Sequence, residues 1–246
     1  MNNASTNDLK DYIDTNLEKN YHKLATIKNT ENSKIYLYQN NSNHQKLVKR
    51  VSKYRNDDVF RKIRNLNINN LMSIYEVCSD DDSLIVLEEF IEGKSLLTIL
   101  EEETLSAKTA CKYAYQICNA LIGLHNLGII HRDIKPSNII INKDGEAILI
   151  DMGIARLISS NGEKDTCELG TVGFAAPEQF GLSQSGKSTD IYSLGILLNI
   201  MITGVHPAIG TAKGPIKRII NKAISTEISK RYSNAKDMQK SLRFFI

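Results

Sequence analysis

Residues 131–138 read His-Arg-Asp-Ile-Lys-Pro-Ser-Asn and lie between the apolar pair Ile129-Ile130 and the apolar run Ile139-Ile140-Ile141. Five strongly polar side chains between two core-type segments are more than a surface turn needs, so they point to a site. The second apolar run continues through Asn142, meets Lys143-Asp144-Gly145, and returns from Ala147 to Ile150. Asp-Gly between short apolar runs is a hairpin signal. A hairpin brings the chain back to the side it left, which puts Asp151 beside Asp133 and Asn138. Two carboxylates, an amide oxygen and the Lys135 ammonium then converge at one end of the hairpin. Such oxygens suit Mg2+, which takes a couple of protein ligands and completes its shell with substrate phosphates. A carboxylate near that ion can accept a hydroxyl proton.

A chain of 246 residues holds one large domain or two small lobes sharing a cleft. With 41% apolar and 24% charged residues it reads as a soluble globular protein. The net charge of +3 implies no nucleic-acid partner. A basic cluster from Lys46 to Arg64 is interrupted by Asp57 and Asp58 and reads as a solvated face. Cys78, Cys111, Cys118 and Cys167 show no CxxC spacing, so reduced thiols in a cytoplasmic setting are expected. No membrane segment is expected. The N-terminus MNNASTNDLKDY has no apolar core, and the run Leu194 to Thr203 is too short to span a bilayer.

Periodicity divides the chain. Residues 1–20 are polar, with a short helix expected from Asp8 to Leu17. Short apolar runs then alternate with polar turns (Leu24 to Ile27, Ile35 to Tyr38, Leu47-Val48), the pattern of an antiparallel sheet. Val59, Phe60, Ile63 and Leu66 fall at helical spacing, and strands are expected at Met72 to Cys78 and Ser83 to Phe90. Beyond that the chain is mainly helical: residues 107–127 with Ser106 as cap, a helix over 189–203 that is apolar on nearly every side and ended by Gly204, and helices near 213–224 and 234–245. The fold class is α+β and bilobal, a small β-rich lobe with one helix joined near residues 89–94 to a larger α-rich lobe.

The segment 131–138 resembles the catalytic loop HRDxKxxN of protein kinases, and further motifs follow in family order. Asp151-Met152-Gly153 is similar to DFG. Gly170-Thr171-Val172-Gly173-Phe174 is similar to the GTxxY segment of Ser/Thr kinases, and Ala176-Pro177-Glu178 to APE. Asp190 to Gly195 matches the start of the buried large-lobe helix, and Arg231 the arginine that pairs with Glu178. The chain is thus similar to bacterial eukaryotic-like Ser/Thr kinases, with residues 1–20 as an extension and 21–246 as the kinase domain (small lobe about 21–90, large lobe about 91–246). The resemblance implies ATP and Mg2+ as cofactors and a protein Ser/Thr hydroxyl as acceptor. It makes Asp133 the base, Lys135 a stabiliser of the transferring group, Asn138 and Asp151 the metal ligands, and Asp190 the anchor of the loop backbone. Ile27, Ile35, and the backbone of Glu89 and Ile91 would meet the nucleotide.

The small lobe departs from the pattern. Where glycines belong between Ile27 and Ile35, the chain reads KNTENS. The family's third-strand lysine is best matched by Lys49, with Lys46 as the alternative. Its acidic partner on the small-lobe helix is replaced by Val59. Either Asp58 reaches Lys49 from one residue earlier, or that ion pair is missing. Glu88 stands at the gatekeeper position, normally apolar, and Lys49 is its expected partner.

These departures support an alternative reading, a pseudokinase that binds nucleotide or protein without turnover. Ser159, Ser160 and Thr166 are expected sites of autophosphorylation, with Arg132 as a partner for the phosphate. Self-association for that transfer belongs to the same expectation, and Thr171 is kept for the substrate platform.

Overall fold

The computed structural model describes residues 3–53, 56–80, 82–158, 171–180 and 185–246, with side chains from residue 10 onward. It has two compact units, residues 1–67 with 72–91, and residues 68–71 with 92–246.

The first unit opens with helix α1 (Asn3–Asn20), longer at both ends than the expected 8–17. Strands β1 (Tyr21–Asn29), β2 (Ser33–Asn40) and β3 (Lys46–Ser52) follow, then helix α2 (Asp57–Ile63) and strands β4 (Ile74–Ser79) and β5 (Leu84–Glu89). The five strands form one antiparallel sheet in the order β1-β2-β3-β5-β4. Pairing of Lys49 with Leu87 and of Arg50 with Val86 fixes which side chains share a face. Leu47, Lys49, Val51, Ile85 and Leu87 lie on one side; Val48, Arg50, Val86 and Glu88 lie on the other. Helix α1 covers the first side, where Ile13 and Leu17 join Leu47, Cys78 and Ile85 in a core cluster. Ion pairs Lys49–Asp14 and Lys10–Asp80 (2.6 Å) tie the helix to the sheet.

Helix α2 buries Val59, Phe60 and Ile63 and is fastened to β4 through Ser79, which donates to Asp57 (3.2 Å) and accepts from Arg61 (2.9 Å). It ends before Leu66, which is exposed, because Asn65 turns into the left-handed region with φ 58°.

The second unit begins with β6 (Gly93–Ser95) and α3 (Leu96–Glu102), the latter capped by the Ser95 hydroxyl on the Thr98 amide. Helix α4 (Ala107–Asn126) starts under Ser106, whose hydroxyl accepts from the Thr109 amide. Strands β7 (Ile129–Ile130), β8 (Ile139–Asn142), β9 (Ala147–Leu149) and β10 (Arg156–Leu157) are short. Helices α5 (Lys187–Thr203), α6 (Ile216–Ala223) and α7 (Ala235–Leu242) complete the unit.

Helix α5 is buried nearly all round, as its apolar composition demands. A Cβ on Gly195 would come within 2.6 Å of the Ala223 Cβ, so glycine is what lets α6 approach α5 this closely. Asn199, buried in the C-terminal half of α5, is satisfied by Val205 and Gly210 carbonyls (2.9 and 2.8 Å) and the Ala212 amide (2.9 Å). Residues 68–71 reach into this unit, where Asn70 accepts from the Leu149 amide at 2.8 Å and donates to the Ala147 carbonyl at 3.0 Å. No helix among the described residues is long and apolar enough to cross a membrane.

Candidate active site

Strands β8 and β9 pair antiparallel with Ile139 opposite Leu149, and the turn between them uses Gly145 at φ 69°. The Ile150 amide donates to the Asn138 carbonyl at 2.9 Å, which closes the hairpin and sets Asp151 next to Asn138. At the hairpin's entry Pro136–Asn138 form one 3-10 turn, and this turns the Asn138 amide back on Asp133. Asn138 Nδ2 donates to the Asp133 carbonyl (2.9 Å) and to Asp133 Oδ2 (2.8 Å). With its nitrogen committed to Asp133, Oδ1 is the acceptor of the amide that those two bonds do not use.

Asp133 is crowded by partners that suit a proton acceptor. The Lys135 ammonium lies 2.7 Å from Oδ2, and the Thr171 hydroxyl donates to Oδ1 at 2.8 Å. Lys135 also donates to the same Thr171 oxygen at 2.7 Å. A carboxylate and an ammonium thus meet on one hydroxyl oxygen.

The loop backbone is held from below. Asp190, fully buried at the start of α5, accepts from the amides of His131 (3.0 Å) and Arg132 (2.8 Å) and bonds His125 Nε2 at 2.8 Å. Burial opposes its ionisation, yet the His125 bond, the neighbouring imidazoles and the Arg132 amide outweigh that and keep its pKa below the ordinary carboxylate value. Burial pushes His131 downward, which favours a neutral packing ring. Arg132 and Asp151 sit at φ 70° and 66°, left-handed conformations that non-glycine residues hold only under surrounding constraint. Asp151 Oδ1 accepts from the Gly153 amide at 3.0 Å, part of that constraint.

Further along the chain Glu178 and Arg231 form the buried pair that the motifs imply, with bonds of 2.7 and 2.9 Å. Asp133, Lys135, Asn138 and Asp151 are therefore brought together by the second unit alone. Thr171 joins them, and its bond to Asp133 spans 38 residues that no local pattern connects. Ser159, Ser160, Thr166 and Gly170 lie outside the described residues.

In the first unit the expected nucleotide contacts are spread differently. Ile35 is buried, Ile27 is 55% exposed, Ile91 is half-buried, and the Glu89 amide donates to the Ser73 carbonyl at 2.9 Å. The expected Lys49–Glu88 pair does not form. Strand alternation sends Lys49 to the α1 side, where it meets Asp14, and sends Arg50 to the Glu88 side. Arg50 Nε donates to Glu88 Oε1 at 2.6 Å, and Nη2 reaches Oε2 at 3.4 Å. Asp58 is exposed and makes no pair with Lys49, so of the two alternatives for the helix acid the missing pair holds.

The KNTENS stretch is a tight hairpin turn. The Thr30 amide donates to the Ser33 carbonyl at 2.9 Å, and the Thr30 hydroxyl accepts from the Ser33 amide at 3.1 Å. No residue from Lys28 to Ser33 has a positive φ, so this turn has no need of glycine.

Among the described residues no three His, Cys, Asp or Glu side chains form a metal nest. Asn138 and Asp151 supply two oxygens, which matches the sparse protein coordination of Mg2+.

An antiparallel five-stranded unit, a mainly helical unit and this loop geometry define a protein kinase. The protein kinase domain family matches residues 21–246, and the chain belongs to it. Similar proteins include a probable serine/threonine-protein kinase of Clostridium perfringens, 34% identical over 74% of this chain and 26% of that protein. The serine/threonine-protein kinase PrkC of Bacillus subtilis is 32% identical over 77% of this chain and 34% of its own length. Serine/threonine-protein kinase D of a Synechocystis strain is 32% identical over 70% and 38%. The chain thus matches only about a third of each of these relatives.

Proposed function

We propose that the chain is an ATP- and Mg2+-dependent serine/threonine protein kinase that moves the γ-phosphoryl group to a protein hydroxyl. The observation that carries this reading is the Thr171 hydroxyl held between Asp133 and Lys135. It displays the contacts an acceptor hydroxyl needs: a carboxylate for its proton and a cation beside its oxygen. Asp133 takes the acceptor's proton as the oxygen attacks. Lys135 balances charge on the transferring group, and Asn138 orients Asp133 while offering Oδ1 to the ion alongside Asp151. Mg2+, when bound, would be held by Asn138 and Asp151 and would supply positive charge to offset that of the phosphates. Ile27 and Ile35 frame the base, with Glu89 and Ile91 contributing backbone groups. Kinase names among the relatives support the reading. Cys78, Cys111 and Cys118 are buried thiols, which suits a reducing cytoplasm. Neither the family match nor the names of the relatives favours the pseudokinase alternative.

The test is transfer of labelled phosphate from Mg-ATP to a generic protein substrate. Asp133→Asn should reduce it by about a hundredfold to ten-thousandfold while Mg-ATP affinity stays within a few-fold. Asp151→Asn should weaken metal-dependent nucleotide binding instead. Near wild-type turnover in both variants would refute the reading.

A further inference from the structure

We propose that Arg50, and not Lys49, is the strand cation that meets the phosphates of the nucleotide, with Glu88 as its counter-charge. This deepens the kinase reading and rests on it. Three observations carry it.

The first is the face. Lys49 points to the side of the sheet that α1 covers, where Ile13 and Leu17 lie against Leu47, Cys78 and Ile85. A nucleotide has no room there. Arg50 is on the opposite side, directly across from Ile35, and Ile35 follows the Thr30–Ser33 turn by two residues. The guanidinium therefore sits at the base of the hairpin turn expected to cover the phosphates.

The second is charge. Glu88 is 3% exposed, and a carboxylate so buried must be paired. Arg50 supplies that pairing from the next strand. A guanidinium has five N–H donors in a rigid fork, a geometry suited to bidentate recognition of carboxylate and phosphate oxygens.

The third is the helix. Val59 is buried where an acid would stand, Asp58 is exposed, and Asp57 is engaged with Ser79. Helix α2 offers Arg50 no carboxylate. Both members of the pair belong to adjacent strands of one sheet, so the pair exists without any movement of α2.

An acyl-phosphate derivative of ATP tests the assignment directly. A lysine amine near the phosphates attacks its acyl carbon; a C–N amide bond forms, the C–O bond to phosphate breaks, ATP leaves, and the amine proton passes to solvent. Peptide mass spectrometry of the wild-type protein should show no ATP-suppressible label on Lys49. Arg50→Lys should gain an ATP-suppressible label at position 50. Calorimetry supplies a second arm. Lys49→Met should leave the Mg-ATP dissociation constant within about threefold, whereas Arg50→Met combined with Glu88→Met should raise it about tenfold or more. The double variant removes both charges together, so neither is left buried alone. Adenosine, which has no phosphates, should bind both variants like the wild type. Should the double variant fail to fold, the labelling of Arg50→Lys decides. A label on wild-type Lys49, an unlabelled Arg50→Lys, or equal affinity losses at both positions would overturn the proposal. A wild type that binds no Mg-ATP at all would instead sink the kinase reading, and this inference with it.

Discussion

Among the described residues, each unit encloses a buried glutamate–arginine pair. Glu178 and Arg231 in the second unit are 2% and 0% exposed, and bonds to the Thr189 hydroxyl, the Ser188 carbonyl and the Ser225 carbonyl surround them. The Arg231 guanidinium also lies 4.7 Å from the Tyr192 ring centre. Glu88 and Arg50 in the first unit are diagonal neighbours on two strands of one sheet, joined by one short and one long bond. The first pair ties together three chain segments far apart in sequence; the second is set by strand register. One is a tertiary lock and the other a consequence of pleat and pairing.

That difference should show when each pair is broken. Glu178→Ala strands a guanidinium with no solvent access, and about 3–5 kcal/mol of stability should disappear in a urea titration. Replacing both partners by Leu and Met should not restore it, because Thr189, Ser188 and Ser225 would each lose a partner at about 1–3 kcal/mol for a buried group. Arg50→Met with Glu88→Met should recover most of what Glu88→Ala alone costs. If the two double variants behaved alike, the distinction between lock and register would be wrong.

The second contrast is between an intact loop and an altered one. The second unit supplies Asp133, Lys135, Asn138 and Asp151 in one cluster, but the Thr30–Ser33 turn spends the Thr30 and Ser33 amides and the Thr30 hydroxyl internally. Fewer N–H groups should reach the β- and γ-phosphates. Losing one or two charge-assisted bonds, each about 1.5–3 kcal/mol at most, weakens Mg-ATP binding by about tenfold to a thousandfold. Calorimetry that found a low-micromolar or tighter dissociation constant would show that the turn finds other donors.

The second unit was legible because its chemistry depends on residue identity at short spacing. HRDIKPSN lies in a single loop and the Asp-Gly hairpin fixes where Asp151 lands. Glu178 and Arg231 stand in motifs of their own. The first unit was less legible for a physical reason. With α1 on one side of the sheet and Glu88, Arg50 and Val48 buried on the other, β3 is covered on both faces and reads Leu47-Val48-Lys49-Arg50-Val51 without alternation. A shift of one residue exchanges every side chain between faces, and nothing local separates Lys49 from Arg50. Only the pairing with β5, counted from Glu88, does so. Helix α3 was missed although Ser95 and Thr98 carried its capping signal, because Leu96 to Leu100 is too short an apolar run to show a period.

The smallest expected effect lies at the rim of the first unit, where α1 is held by part-buried ion pairs in place of fully buried ones. Asp80 has its pKa pulled down from 3.8 to about 2, first by the Lys10 ammonium; burial opposes this, and the Asp82 and Ser83 amides and the Ser83 hydroxyl add smaller downward contributions. A carboxylate depressed on folding contributes stability that is complete above its unfolded pKa and disappears as pH falls through the folded one. The contribution of Asp80 should therefore be constant above about pH 4 and decline toward pH 2. Lys10 is 35% exposed, so its pair with Asp80 should be worth less than about 1 kcal/mol. Urea titrations of the wild type and Asp80→Asn between pH 6 and pH 2 would measure this. The stability difference should be flat and then narrow within that window, while Lys10→Met should lower the plateau only slightly, since the turn amides remain. A difference that did not change with pH would mean that Asp80 acts through turn geometry alone. The Lys10–Asp80 pair would then contribute nothing to the docking of α1, which would rest on Ile13, Leu17 and the Lys49–Asp14 pair.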